Sequence, residues 1–221
     1  MYKRQLFNLN KRQAQYQALQ NQINPHFLYN TLDAIVWEAE AGHSGEVIHI
    51  TRALSDFFRI SLSSGADWIP LAQELKHLSG YLSIQKARYR DILNYRIDVP
   101  QELGEVYVLK LLLQPLVENA IHHAAEKMLD VCVIRVSGAA TADGVDIIVQ
   151  DNGPGTDEDI LNKLESGEVQ PEGLGIGMRN IHKRVQHAFS EQYGLRVCSE
   201  EGQTQITVHL PDTRPEPHNK A

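Results

Sequence analysis

Val145-Asp-Ile-Ile-Val-Gln-Asp-Asn-Gly-Pro-Gly155 decides how the chain is read. Residues 145–150 are rich in Val and Ile and predict a strand, and the residues after Asp151 are turn formers. As bare chemistry, Asp-Asn-Gly is turn punctuation. The same residues also suit a flat base. A carboxylate at a strand end accepts a hydrogen bond from an exocyclic amine, and Gly153 and Gly155 let the backbone approach a ring closely.

Outward from this strand, Thr141-Ala-Asp-Gly144 is a hairpin turn signal that joins it to a strand at 131–136. Upstream, Gln114-Pro-Leu-Val-Glu-Asn-Ala-Ile-His-His123 is an apolar helix carrying Glu118, Asn119, His122 and His123. Helical spacings of three and four let Asn119 and either histidine point into one cleft. An amide oxygen beside a carboxylate suits Mg²⁺ that keeps most of its waters and binds substrate phosphates, with a histidine donating to a phosphate oxygen. A helix end with its polar residues in solvent fits the same pattern. Downstream, a short helix at 157–164 and a polar loop at 165–172 lead to Gly173-Leu-Gly-Ile-Gly177, which opens a helix at 178–189. Glycines ahead of a helix N-terminus make a phosphate cradle or a flexible hinge. Neither a Rossmann Gly-x-Gly-x-x-Gly nor a Walker A loop is present. Strands at 195–199 and 205–210 flank a Glu201-Gly202 turn.

Toward the N-terminus, Leu93, Tyr95, Ile97 and Val99 alternate with polar residues as a half-buried strand. Pro70 opens a helix with the stripe Leu71, Leu75, Leu78, Leu82, and residues 106–125 read as helical apart from a new start or kink at Pro115. A helix at about 46–62 carries Val47, Ile50, Leu54 and Phe57. Ahead of the break at 41–45, residues 2–32 read as one long helix. Its seam of Tyr2, Leu6, Leu9, Tyr16, Ile23 and Phe27, with Gln13 and Gln20 between, is a coiled-coil stem. His26 stands one residue off that seam, directly after Pro25, where a kink is expected. Gln22 and Asn30 share its face and can bond one ring nitrogen, leaving the other as a nucleophile.

Two antiparallel helices with apolar stripes leave half a core bare, so a homodimeric four-helix bundle is expected. The fold class is α+β: a dimerising helical hairpin at 1–66, an α/β sandwich at 67–212 with helices on one face of a mixed sheet, and a disordered tail at 213–221. The 221 residues carry a formal charge of −7, which argues against a nucleic-acid partner. Cys132 and Cys198 lie in strand-like runs and read as buried thiols of a reducing compartment, not a disulfide frame or a metal site. No signal peptide or membrane-length apolar run is visible. A seam in register from the first residues implies that this is the cytoplasmic piece of a longer protein.

In order along the chain stand a helix with Asn, a strand followed by Asp-x-Gly-x-Gly, a variable loop, and Gly-x-Gly-x-Gly before a helix. This resembles the N, G1 and G2 boxes of the GHKL ATPase superfamily, which includes gyrase, Hsp90, MutL and the histidine kinases. With Gln-Ile-Asn-Pro-His-Phe-Leu-Tyr-Asn30 upstream, the chain from about Tyr16 to Leu210 resembles the LytS/YesM-like sensor histidine kinases. The resemblance implies a Bergerat-type ATP-binding sandwich and a two-component kinase. In it His26 is the phosphoacceptor, Asn119 the Mg²⁺ ligand, Glu118 a further catalytic residue and Asp151 the adenine reader. Gly153 and Gly155 shape the base pocket. His122, His123, Gly173, Gly175 and Gly177 bind ATP around a lid at 156–172. It also implies transfer to an aspartate of a response-regulator receiver domain, and a membrane-bound sensor region outside this chain. His122, Thr156 and Gln203-Thr204 depart from the usual Lys or Arg, Met and Gly-Thr, and Phe27 follows His26 where larger kinase families have an acid. A GHKL ATPase that never phosphorylates His26, and a degenerate dimeric scaffold, are the rival readings.

Overall fold

The computed structural model describes residues 25–61, 67–125, 131–166, 174–200 and 202–212. The coiled-coil seam expected at 2–23, Gln22, most of the linker, Gly173, much of the lid and the tail at 213–221 lie outside the described residues, as does the side chain of His123.

Helix α1 spans Pro25–Glu40 among the described residues, and the kink expected where Pro25 joins the upstream stem lies at their boundary. A tight turn returns the chain into α2 (Ser44–Ser61), with His43 N–H bonding the Glu38 carbonyl at 2.9 Å. Phe27, Thr31 and Ala34 of α1 and Ile50 and Phe57 of α2 are buried where the two helices pack, with the Phe27 and Phe57 rings 5.0 Å apart. Helix α3 (Leu71–Tyr89) follows a three-residue strand β1 (Trp68–Pro70). Its Leu71, Leu78, Leu82 and Ile84 are fully buried because it is covered on two sides, by the hairpin and by the sandwich.

The main sheet has the order β2-β4-β5-β7-β6 (β2 Leu93–Asp98, β4 Cys132–Ala140, β5 Val145–Asp151, β6 Gly194–Glu200, β7 Gln203–Leu210). Strand β2 runs parallel to β4, with Leu93 opposite Cys132, and every other pair is antiparallel. Alternation puts Cys132, Ile134 and Val136, then Val145, Ile147 and Val149, then Ile206, Val208 and Leu210 on the covered face. Helix α4 (Gln114–Ala125) lies over β4 and β5, and α6 (Leu174–Ala188) lies over β6 and against α4. The opposite face leaves Val133 and Arg135 exposed, and of the two thiols expected to be buried only Cys132 is, since Cys198 is exposed on the edge strand β6. At the β4–β5 hairpin, a Cβ on Gly144 would fall 2.0 Å from the Leu210 carbonyl oxygen, so glycine is required there.

Some boundaries differ from expectation. Residues 106–113 are not helical: strand β3 (Tyr107–Leu109) pairs with β1, Ile69 opposite Val108, and only Gln114 starts a helix. A short apolar run has no period that separates strand from helix, and its partner β1 contains a proline. Helix α5 is Ile160–Ser166, pushed downstream by an Asp157 turn in which its carboxylate accepts Asp159 N–H at 2.9 Å. Helix α6 begins at Leu174, so Gly175 and Gly177 lie in its first turns and not in a preceding loop.

Candidate functional site

Asp151 ends β5 on the buried face, opposite Thr204 of β7 and Ile134 of β4. It is only 6% exposed, and its Oδ1 accepts Gly153 N–H at 2.8 Å. Burial pushes its carboxyl above the ordinary carboxylate range, and the Gly153 bond offsets this only in part. A buried carboxylate held by one backbone donor keeps acceptor capacity for a ligand's N–H. Its charge, after burial, also helps push the Cys132 thiol to about 11. Beyond it, Gly155 adopts φ +92°, and a Cβ there would meet Ser199 Oγ at 3.0 Å. That oxygen accepts Thr156 N–H at 2.8 Å, and Ser199 N–H donates to Glu158 at 2.9 Å, so the loop after Asp151 is fastened to β6.

Asn119 lies in the middle of α4, is 4% exposed, and its Nδ2 has no hydrogen-bond partner among the described residues. A buried amide left unpaired costs about 1–3 kcal/mol and marks a site completed by something else. An N–H donor does not ligate a cation, so Asn119 suits Mg²⁺ with the amide turned over to present its oxygen, and suits a phosphate oxygen as it stands. His122, one turn on, is exposed. Glu118 sits 100° round the helix from Asn119. It accepts Gln114 Nε2 at 2.8 Å and is raised by burial, and Tyr81 of α3 feels its charge. Glu118 therefore faces α3.

Gly177 lets α6 approach α4, its added Cβ falling 3.6 Å from Pro115 Cβ. Two residues on, Arg179 Nε is buried without a partner among the described residues, a second orphaned donor beside the glycine motif. Nothing in the spacing singles out Arg179. His26 is exposed on α1, with the Asn30 amide 3.2 Å from both ring nitrogens, and Phe27 is buried beneath it. Asp151, Gly153 and Gly155 thus form one loop, and α4 and α6 bring Asn119 and Gly177 to neighbouring helices. His26 stands on the separate hairpin.

Residues 14–93 match the family model described as histidine kinase, and residues 104–214 match that described as histidine kinase-, DNA gyrase B-, and HSP90-like ATPase. The chain is 37% identical over 201 residues to the sensor histidine kinase YesM of Bacillus subtilis, covering 90% of this chain and 34% of that protein. Sensor histidine kinase BtsS of Escherichia coli is 33% identical and sensor protein LytS of Bacillus subtilis 32%, each over 90% of this chain and 34% of the relative. The chain spans about a third of the length of these relatives. Among solved structures, the catalytic domain of histidine kinase ThkA shares the fold, with a TM-score of 0.51 and 16% identity over 66% of this chain and 95% of that one. The chain belongs to the histidine kinase-, DNA gyrase B- and HSP90-like ATPase family, with a histidine-kinase helical segment ahead of the ATPase unit.

Proposed function

We propose that the chain is the transmitter of a two-component sensor histidine kinase, which phosphorylates His26 from ATP and passes the phosphoryl group to a response-regulator aspartate. The observation that carries this reading is a buried acceptor and a buried unpaired amide, Asp151 and Asn119, in an ATPase fold whose preceding helix presents an exposed histidine. Asp151 reads the adenine amine, with Gly153 and Gly155 beneath the base. Asn119 would hold Mg²⁺, which neutralises phosphate charge when bound. Gly173, Gly175 and Gly177, with His122 and His123, are assigned to ATP binding at the end of the lid, and Glu118 is assigned as a further catalytic residue.

In the transfer step, an unprotonated ring nitrogen of His26, oriented by Asn30, attacks the γ-phosphorus in line. A P–N bond forms, the bond from phosphorus to the bridging oxygen breaks, ADP leaves with its electron pair, and the ring proton passes to solvent. Positioning supplies most of the acceleration.

The working unit is a homodimer built on residues 1–66, with residues 67–212 as the ATP-binding domain. Support comes from α1: Tyr29, Leu32 and Val36 fall at i, i+3 and i+7, and Trp37 beside them is 59% exposed. Such a stripe suits a four-helix bundle. Because the relatives named as sensors are about three times as long, we place this chain as the cytoplasmic part of a plasma-membrane protein. Among the described residues no helix is long and apolar enough to cross a membrane. Incubation with Mg²⁺ and γ-labelled ATP tests the reading: acid-labile, base-stable label on the chain supports it, whereas ATP turnover without label assigns the chain to a conformational ATPase.

A further inference from the structure

Between the hairpin and the two nucleotide helices lies a four-residue turn, 110–113, that nothing in the sequence patterning marks. Its first residue, Lys110, bonds in three directions. Its Nζ donates to the Ser61 carbonyl at the C-terminal end of α2 at 2.8 Å. Its N–H donates to the Asp67 carbonyl at 3.0 Å, and its carbonyl accepts Arg184 Nη2 from α6 at 3.0 Å. The next residue, Leu111, is held at φ +57°, which a branched side chain rarely adopts. What holds it is Glu74 of α3, 0% exposed, whose two oxygens accept Leu111 N–H at 3.0 Å and Leu113 N–H at 2.9 Å. Leu113 then accepts Leu116 and Val117 N–H at 3.1 Å, starting α4 and so setting where Asn119 lies. Ser61 is held a second time, through Oγ, by His77 Nε2 at 2.8 Å.

We propose that Lys110 is a positioning residue that couples the end of hairpin helix α2 to both nucleotide helices, α4 and α6, so that movement of α2 is felt at Asn119 and at the glycine motif. A buried carboxylate holding a left-handed leucine makes this turn stiff, and a stiff turn transmits displacement where a loose loop would absorb it. The charged Nζ on a helix C-terminal carbonyl is also the favourable polarity for a helix end. Lys110 touches no reacting atom. The inference rests on the kinase reading above.

The test uses the full 221-residue chain as wild type, Lys110→Met, which keeps the aliphatic stem, and Lys110→Gln, whose shorter neutral side chain keeps polarity at a half-buried position but loses the reach. For whichever variant folds, His26 phosphorylation at saturating Mg²⁺-ATP falls about tenfold while ATP affinity stays within about twofold of wild type, and Lys110→Arg restores the rate. A structural role alone would move melting temperature, ATP affinity and rate together. An unchanged rate, or one that falls only in step with ATP affinity, overturns the proposal. Amide exchange at 111–117 judges the joint without any activity: it is expected to quicken in the variants while strand β5 keeps its protection, and unchanged exchange overturns the coupling. A wild-type chain that takes no label sinks the kinase reading, and the exchange result still decides the joint.

Discussion

The ring of Phe27, the residue next to His26, lies 5.2 Å from that of Tyr81 on α3 and 5.0 Å from that of Phe57 on α2. Helix α1 is thus fastened to α3 immediately beside His26. Phe27→Ala removes the α1 ring of this cluster, which touches both Phe57 and Tyr81, and is expected to cost about 3 kcal/mol. The drop in urea midpoint at unchanged slope measures it, and an unchanged midpoint would mean that α1 does not pack on α3.

His77 gives the hairpin junction a pH dependence. Its ring stacks on Phe57 at 4.6 Å and is 1% exposed, so burial, then the Lys110 charge, pushes it down from the ordinary 6.5 to about 4. Between those values the unfolded chain binds a proton that the folded chain refuses, so this contribution is fully present above pH 6.5 and is lost as pH falls toward 4. Wild type should lose about 1 kcal/mol more than His77→Gln between pH 7.5 and 5.5, and about 3 kcal/mol more by pH 4. Parallel pH profiles for the two chains would contradict the burial of this ring.

Gly155 is the position in the loop after Asp151 least tolerant of a side chain, because φ +92° and the 3.0 Å approach of Ser199 Oγ act together. Gly155→Ala is expected to lower ATP affinity about tenfold and stability by about 1–2 kcal/mol. Adding Ser199→Gly should recover the steric part alone. Wild-type nucleotide affinity in Gly155→Ala, read by titration with a fluorescent ATP analogue, would remove the loop from the site.

Asp151→Asn separates function from stability. The carboxylate is raised by burial and keeps one backbone donor, so its charge costs the ligand-free fold. The amide is expected to leave ligand-free melting temperature equal or higher while cutting ATP affinity at least about tenfold, since it offers a donor where the base also donates. A fall in melting temperature with ATP affinity intact would make Asp151 a structural residue.

Strand β5 and its turns were legible because strand, Asp and glycines are local and consecutive: β5, its hairpin turn and the Asp151 position match the sequence reading within a residue. The second hairpin helix followed from its apolar stripe, of which Ile50 and Phe57 are buried, while His26, expected at the edge of the core, is exposed beside the buried Phe27. The β1–β3 ladder was not legible, since three-residue strands, one ending in Pro70, carry no period. Nor was the Lys110–Glu74–Arg184 junction. A glutamate and an arginine on helices read as solvated face, and only tertiary packing turns Glu74 inward to hold the turn ahead of α4. Arg179 escaped for the same reason.

The most direct test of the central claim is phosphorylation of the chain by Mg²⁺ and γ-labelled ATP, run beside His26→Gln and Asn119→Ala. The account predicts acid-labile, base-stable label on wild type and none on either variant, with His26→Gln still binding ATP like wild type. Label that persists in His26→Gln, or wild type that binds ATP and stays unlabelled, would contradict it.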